Sequence, residues 1–323
     1  LVKETHRASQ QPSPEGRALL TVVTPVYNEA ENLPLLYERL CEVLDSLAGV
    51  RWEWFIVDDH SADGTFEAMR ALAARDDRVN GVRFARNHGS HTAIMCGLEH
   101  AQGDCAVVLA GDLQDPPETI PALLERWRSG MQVVWAVRAH REGERASTVG
   151  FARLYYFLMQ RLVGLNLPPS GADFFILDKQ VIRSLYQFHE RHISLIALIT
   201  WMGFRQDFIS YDKQARVHGR SGWSLEKKLK LVADSVTAFS YLPIRLMSYV
   251  GFTFAFLGMV YALVVACNAL RGMTPQGWAS LMIVMLVVGG VQMTMMGVLG
   301  EYVWRALDEA RGRPRYIIED TLK

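Results

Sequence analysis

Two charge-free runs near the carboxyl end constrain this chain more than anything else in it. Residues 246–270 contain no Asp, Glu, Lys or Arg, nor do residues 272–300, and only Arg271 separates them. Each run exceeds the ~20 apolar residues with which a helix crosses a hydrocarbon core. Two buried helices of a large soluble core are the alternative, but the flanks favour a membrane. Arg220, Lys227, Lys228 and Lys230 precede the first run; Arg305, Arg311, Arg313 and Arg315 follow the second. Basic residues collect on the cytoplasmic side. The runs therefore predict a two-helix transmembrane hairpin over residues 246–303, multi-pass in the cytoplasmic (inner) membrane, with both termini cytoplasmic.

The remainder reads as α/β. Apolar, β-rich segments at 18–26, 54–57, 79–84, 105–109 and 132–137 predict strands. Between them, 31–47 has Leu33, Leu36, Leu40, Leu44 and Leu47 at helical spacing, and 66–74, 90–101 and 120–128 also read as helices. That alternation implies βαβ units and a mostly parallel, Rossmann-like sheet with helices on both faces. No G-x-G-x-x-G follows the first strand, which counts against a dinucleotide oxidoreductase.

After Arg138 the rhythm changes. Residues 148–165 read as helical, and 170–178 as a turn and short strand holding Asp173. Residues 224–239 place Leu225, Leu229, Val232, Val236 and Phe239 on one stripe, with Lys227, Lys228 and Lys230 off it. Beside a membrane span such a helix is expected to lie in the interface, the alternative being a surface helix packed on the domain. The expected division is a flexible tail (1–17), an α/β domain (18–223), an interfacial helix and linker (224–245), the hairpin (246–303) and a cytoplasmic tail (304–323). A formal net charge of zero argues against a nucleic-acid partner. Cys41, Cys96, Cys105 and Cys267 lie far apart without zinc spacing, so free thiols are expected.

The chemistry gathers where strands end. In VVLAGDLQDPPE, residues 107–118, an apolar run breaks at Gly111 into Asp112, Gln114 and Asp115. In open α/β sheets ligands bind at the carboxyl ends of strands. Two carboxylates and an amide there suit a hard divalent cation, which commonly rides on phosphates; a solvated turn is the plain alternative. Tyr27, Asn28 and Glu29 follow the first strand, and Asp58 and Asp59 the second. Three acidic strand ends in order predict a cleft for a nucleotide and a metal ion.

TVVTPVYNEAENL, IVDDHSADGT, RNHG and GDLQDPPE, in that order, resemble a family 2 glycosyltransferase of GT-A fold. The paired spans and GVLGEYVWRALDEARGRPRY resemble its polyprenyl-phosphate branch, which includes dolichol-phosphate mannose synthases and bactoprenol glucosyltransferases. The resemblance covers roughly residues 19–320. It implies a nucleotide-sugar site at Pro25, Tyr27, Glu29, Asp58, Asp59 and Asp112, with Asp58 and Asp59 contacting base and ribose. It implies a Mg2+ or Mn2+ ion on Asp112 and Gln114, and a catalytic carboxylate at Asp173 beside Asp112. Arg138 and Arg153 match arginines that hold the acceptor phosphate; Arg141 and Arg145 are further candidates or a solvated charge run. Three positions depart from the pattern: Ala110 replaces the first acid of Asp-Ala-Asp, Ser90 a basic residue, and Phe175 the arginine after the Gly-Asp-Phe-type motif.

The implied reaction is inverting transfer of a hexose from a nucleotide diphosphate, uridine by preference and guanosine as alternative, to an undecaprenyl-type polyprenyl phosphate. Its product would serve cell-envelope glycans such as lipopolysaccharide. The acceptor phosphate, with a second pKa of about 6, is mostly dianionic at neutral pH. Asp173 could therefore orient a hydroxyl, take a proton from a monoanionic acceptor, or merely cap a turn. Two rivals stand beside this reading. A catalytically inactive nucleotide-sugar-binding scaffold follows from the acid missing at Ala110. A processive polysaccharide synthase would want more spans and a Gln-x-x-Arg-Trp motif, and this sequence has neither. A homo-oligomer is expected because two spans bury little alone.

Overall fold

A computed structural model of the chain describes residues 17–139, 160–161, 167–168, 173–188, 194–214, 242–271 and 277–322. The sheet grows outward from its central strand β1 (Ala18–Val26). In chain order follow α1 (Asn32–Asp45), β2 (Val50–Asp58), α2 (Thr65–Ala73), β3 (Val79–Phe84), α3 (Ser90–His100), β4 (Cys105–Val108), α4 (Ile120–Arg128) and β5 (Val133–Arg138). Then come β6 (Phe174–Asp178), α5 (Lys179–Leu185), α6 (Leu195–Trp201), β7 (Gln206–Tyr211), α7 (Leu242–Leu270), α8 (Trp278–Ala310) and β8 (Ile318–Leu322). Among the described residues eight strands form one sheet, in the order β7-β5-β6-β4-β1-β2-β3-β8. β6 is antiparallel to β4 and β5, and β8 is antiparallel to β3; the other pairings are parallel. The expected mostly parallel α/β sheet is what the chain forms.

Hydrophobic burial on both faces fixes this arrangement. Leu20, Val22 and Val26 of β1 join Leu33, Leu36, Leu40 and Leu44 of α1 on one face. Val23 joins Ile94 and Leu98 of α3 and the β6–α6 residues on the other. No capping side chain closes the start of α1, a loss of about 1 kcal/mol. Four leucines buried at roughly 2 kcal/mol each outweigh it.

Several elements differ from the sequence expectation. β2 starts at Val50 rather than Trp54, because Trp52, Trp54 and Ile56 are buried while charged Arg51 and Glu53 alternate with them. The edge strand β7 and the short helices α5 and α6 carry too little periodicity to stand out. The last residues, expected as a tail, form β8 on the free edge of β3. The tail 1–16, the helix expected at 224–239, Arg141, Arg145 and Arg153 lie outside the described residues, as does the helix expected at 148–165 except for residues 160–161.

α7 and α8 form a helical hairpin. They close on each other at Gly251, where a Cβ would come within 3.1 Å of Met295 Cε. Apolar side chains point outward along both: Phe252 is 75% exposed and Met293 73%. Among the described residues one stretch, Ile244–Val265, has the length and hydropathy of a membrane-crossing helix, with a mean hydropathy of 1.9. α8 continues past the apolar run to a charged end, where Arg305 pairs with Glu301 at 2.8 Å.

Candidate active site

β1, β2, β3, β4, β5 and β7 all end at one edge of the sheet, at Val26, Asp58, Phe84, Val108, Arg138 and Tyr211. The antiparallel strands begin there: β6 directly after Asp173, and β8 with Ile318 opposite Phe84. The predicted site residues 25–29, 58–59, 112–114, 138 and 173 therefore share this edge, and β1 divides it into two flanks.

On the β2–β3–β8 flank the acids brace loops. Asp58 is fully buried. Its Oδ1 accepts hydrogen bonds from Ser61 N at 2.9 Å and Ser61 Oγ at 2.5 Å. Its Oδ2 lies 3.5 Å from Arg83 Nη1 and has no hydrogen-bond partner among the described residues. Asp59, 3% exposed, accepts from His88 N at 2.6 Å and Gly89 N at 2.8 Å, and so holds the loop that opens α3. Burial raises its carboxyl above the ordinary range, opposed by those two amides. Asn28 and His60 both take left-handed backbone, φ +57° and +62°. Their loops are tied together: Asn28 N donates to Ser61 Oγ at 2.9 Å, and Ala62 N to Asn28 Oδ1 at 2.8 Å. Glu29 accepts from Asn32 Nδ2 through its carboxylate and from the α1 amides through its carbonyl. Tyr27 stands half exposed at the rim.

The β4–β6–β5–β7 flank concentrates charge. Gly111 lies so close to β1 that a Cβ would come within 2.7 Å of Val26 Cγ1, which explains glycine at that position. Leu113 follows in left-handed backbone, φ +60°, turning the chain so that Gln114 N donates to Asp112 Oδ1 at 3.2 Å. Asp112 and Asp115 are both buried. Tyr211 Oη donates to Asp115 Oδ1 at 2.5 Å, and Lys213 Nζ lies 3.6 Å from the same oxygen. Burial, and then Asp115, push the Tyr211 hydroxyl far above its usual range. Asp173 keeps a solvent-facing side, yet protein encloses the rest, and that enclosure raises its carboxyl. Asp115 raises it further, while His91, Arg138 and Lys213 oppose. Burial likewise lowers His91.

Among the described residues no three His, Cys, Asp or Glu side chains converge as a metal cage. Asp112 and Gln114 still present two hard oxygen donors on one turn, a set that suits a divalent cation completed by phosphate oxygens. Phe175, where an arginine was expected, is buried against Trp135 with ring centroids 5.1 Å apart, so this position packs the core. Sequence reasoning passed over Arg83, His91, Tyr211 and Lys213. Only Arg83 carried a signal, as the lone charge in an otherwise uncharged strand.

Known proteins match this sequence along nearly the whole chain. The family model described as Glycosyl transferase family 2 matches residues 21–186, and the GtrB C-terminal hairpin matches residues 242–305. The uncharacterized glycosyltransferase YkcC of Bacillus subtilis is 36% identical over 300 residues, 93% of each chain. The bactoprenol glucosyl transferase of Shigella phage SfV is 32% identical over 302 residues, 93% of this chain and 98% of that one. A glucosyl-3-phosphoglycerate synthase structure from Mycobacterium tuberculosis, solved with Mn2+, UDP-glucose and phosphoglyceric acid, is a distant likeness. Its TM-score is 0.46 at 18% identity, over 68% of this chain and 79% of that one. With the mixed sheet, the acidic edge and a helical hairpin that associates it with membranes, the chain belongs to glycosyl transferase family 2.

Proposed function

We propose that this enzyme transfers a hexose from a nucleotide diphosphate, uridine by preference, to an undecaprenyl-type polyprenyl phosphate at the cytoplasmic face of the membrane, inverting the anomeric carbon. The observation that carries the reading is the return of β8 to the sheet after the hairpin. A chain that leaves the domain before α7 and rejoins it after α8 supports a hairpin that enters and leaves the bilayer on one side. The active edge and the lipid phosphate then share that side. Relatives named bactoprenol glucosyl transferases support a polyprenyl acceptor.

In this reading Tyr27 and Asp59 meet the nucleoside, Pro25 and Glu29 shape the mouth of its pocket, and buried Asp58 holds the wall. Asp112 and Gln114 face the diphosphate; a Mg2+ or Mn2+ ion held there would offset the departing charge. Arg138, with Arg141 and Arg153 from outside the described residues, orients the acceptor phosphate, for which a guanidinium fork is suited. Asp173, its carboxyl raised, accepts a proton from a monoanionic acceptor or orients a sugar hydroxyl in this reading. Holding both substrates in one cleft supplies several kcal/mol of the barrier through orientation. The helix that the sequence predicts over 224–239 would anchor the domain, leaving the isoprenoid tail in lipid, and the exposed hairpin faces favour a homo-oligomer.

A panel of nucleotide sugars offered with short-chain polyprenyl phosphate tests the reading. One donor should give a lipid-linked sugar together with cation-dependent release of its nucleotide diphosphate. Binding without release would instead identify a scaffold.

A further inference from the structure

The chain returning from the hairpin does more than close the sheet. Tyr316 stacks on Phe84 at 5.0 Å and donates through its hydroxyl to Glu99 Oε2 at 2.6 Å. Ala85 N donates to Ile317 O at 2.9 Å. These contacts seat Glu319 of β8 over the donor flank. Glu319 Oε2 accepts from Arg83 Nε at 3.1 Å and lies 3.6 Å from His60 Nδ1. Arg83 in turn donates through Nη2 to Ser61 O at 3.0 Å and sets Nη1 3.5 Å from Asp58 Oδ2. His60 Nδ1 also meets Phe84 O at 3.0 Å. Ser61 is tied to Asn28, beside Tyr27. One line of contacts therefore runs from the strand after α8, through Glu319 and Arg83, to both loops of the donor flank.

We infer that Glu319 of β8 is a positioning residue for donor binding, holding loop 58–64 through Arg83 and His60 so that nucleotide affinity depends on the segment that returns from the membrane hairpin. The inference rests on reading this flank as the nucleotide site. Its physical basis is that left-handed Asn28 and His60 sit on loops with few apolar anchors of their own. The charged partners select their arrangement, and Arg83 supplies the counter-charge beside the buried Asp58 carboxylate.

The test titrates UDP and GDP into the full chain in lipid nanodiscs. Glu319→Gln removes the charge and keeps the strand. It should weaken the preferred nucleotide about three- to fivefold, the range of a half-exposed ion pair, and leave the acceptor Michaelis constant unchanged. Glu319→Asp should recover part of the loss. The gap from wild type should narrow between about 0.05 M and about 1 M salt, because screening removes the contact from wild type as well. Arg83→Ala should lose tenfold or more, roughly, by leaving Asp58 buried without its counter-charge. If Asp59→Asn weakens binding while Glu319→Gln binds as wild type does, or if the Glu319→Gln loss is independent of salt, the inference is overturned. If the wild type binds neither nucleotide, or Asp59→Asn has no effect on affinity, the donor reading falls and the inference falls with it.

Discussion

The two flanks of β1 use the same residue types to opposite ends. Toward β8, carboxylates are committed to neighbours: Asp58 to Ser61 and Arg83, Asp59 to the amides of His88 and Gly89. Toward β7, Asp115 and Asp173 crowd each other, with Arg138, Lys213 and His91 as counterweights. The first flank is a braced receptacle. The second holds charge in tension, which suits a place where phosphates and a cation arrive with charge of their own. A carboxylate's task here follows from what surrounds it.

The largest expected contrast comes from neutralising one acid on the charged flank. Asp112→Asn should lower kcat on the order of 10²–10³-fold, because it removes the charged ligand expected at the departing diphosphate. The fold and the affinity for the free nucleoside should be retained. Near-wild-type turnover in excess magnesium or manganese would end the metal assignment.

Arg138→Ala should come next, raising the Michaelis constant for polyprenyl phosphate about tenfold or more while that for the donor moves little. Equal shifts for both substrates would mean that the flanks do not divide the substrates. A smaller effect should follow from cutting the chain before α7. Because β8 belongs to the sheet, a fragment ending there loses the Glu319 brace and exposes the β3 edge, and should bind nucleotide several-fold more weakly, roughly by the ion-pair contribution. A version with α7 and α8 replaced by a flexible linker, keeping residues 311–323, should recover the affinity. Nucleotide binding that is the same with and without β8 would detach this flank from the hairpin.

The legible parts of this chain were those with a repeating physical signal. β1, α1, β3 and α3 followed from apolar periodicity, and the acidic edge of the sheet from acids placed just after apolar runs. β8 was hidden because IEDTL reads as an exposed acidic end, and as an edge strand it needs only one partner and one buried residue, Leu322. Arg83 and Glu319 lie far apart in sequence, and only the sheet order brings them together. The tasks of Asp58 and Asp59 were hidden for another reason. A sequence places an acid at a strand end, but which amides it accepts from depends on how the loops fold back.

The smallest expected effect tests the same contrast in stability. Asp76, at the far edge of the sheet, is bound by Arg78 at 2.8 Å, and chiefly that hydrogen-bonded pairing holds its carboxyl at about 2, against 3.8 ordinarily. A depressed carboxylate stabilises the fold above its unfolded pKa, and the contribution disappears as pH falls from 3.8 toward 2. Asp173 carries the opposite sign. Its folded pKa lies above 3.8, chiefly through burial, so its charge opposes folding at neutral pH and the penalty fades as acid protonates it. Without cation or nucleotide, Asp76→Asn should therefore lower the thermal midpoint at neutral pH by a few degrees, roughly the effect of a partly exposed charge pair. Asp173→Asn should raise it by about 1–2 °C, discounted because one side of Asp173 faces water, and should impair transfer. Acidification should erase the first difference only near the lower end of its window and the second sooner, as pH falls through the raised pKa. If Asp173→Asn instead destabilises the protein at neutral pH, the carboxylate is serving as a structural brace, and the contrast between the flanks fails at its most charged point.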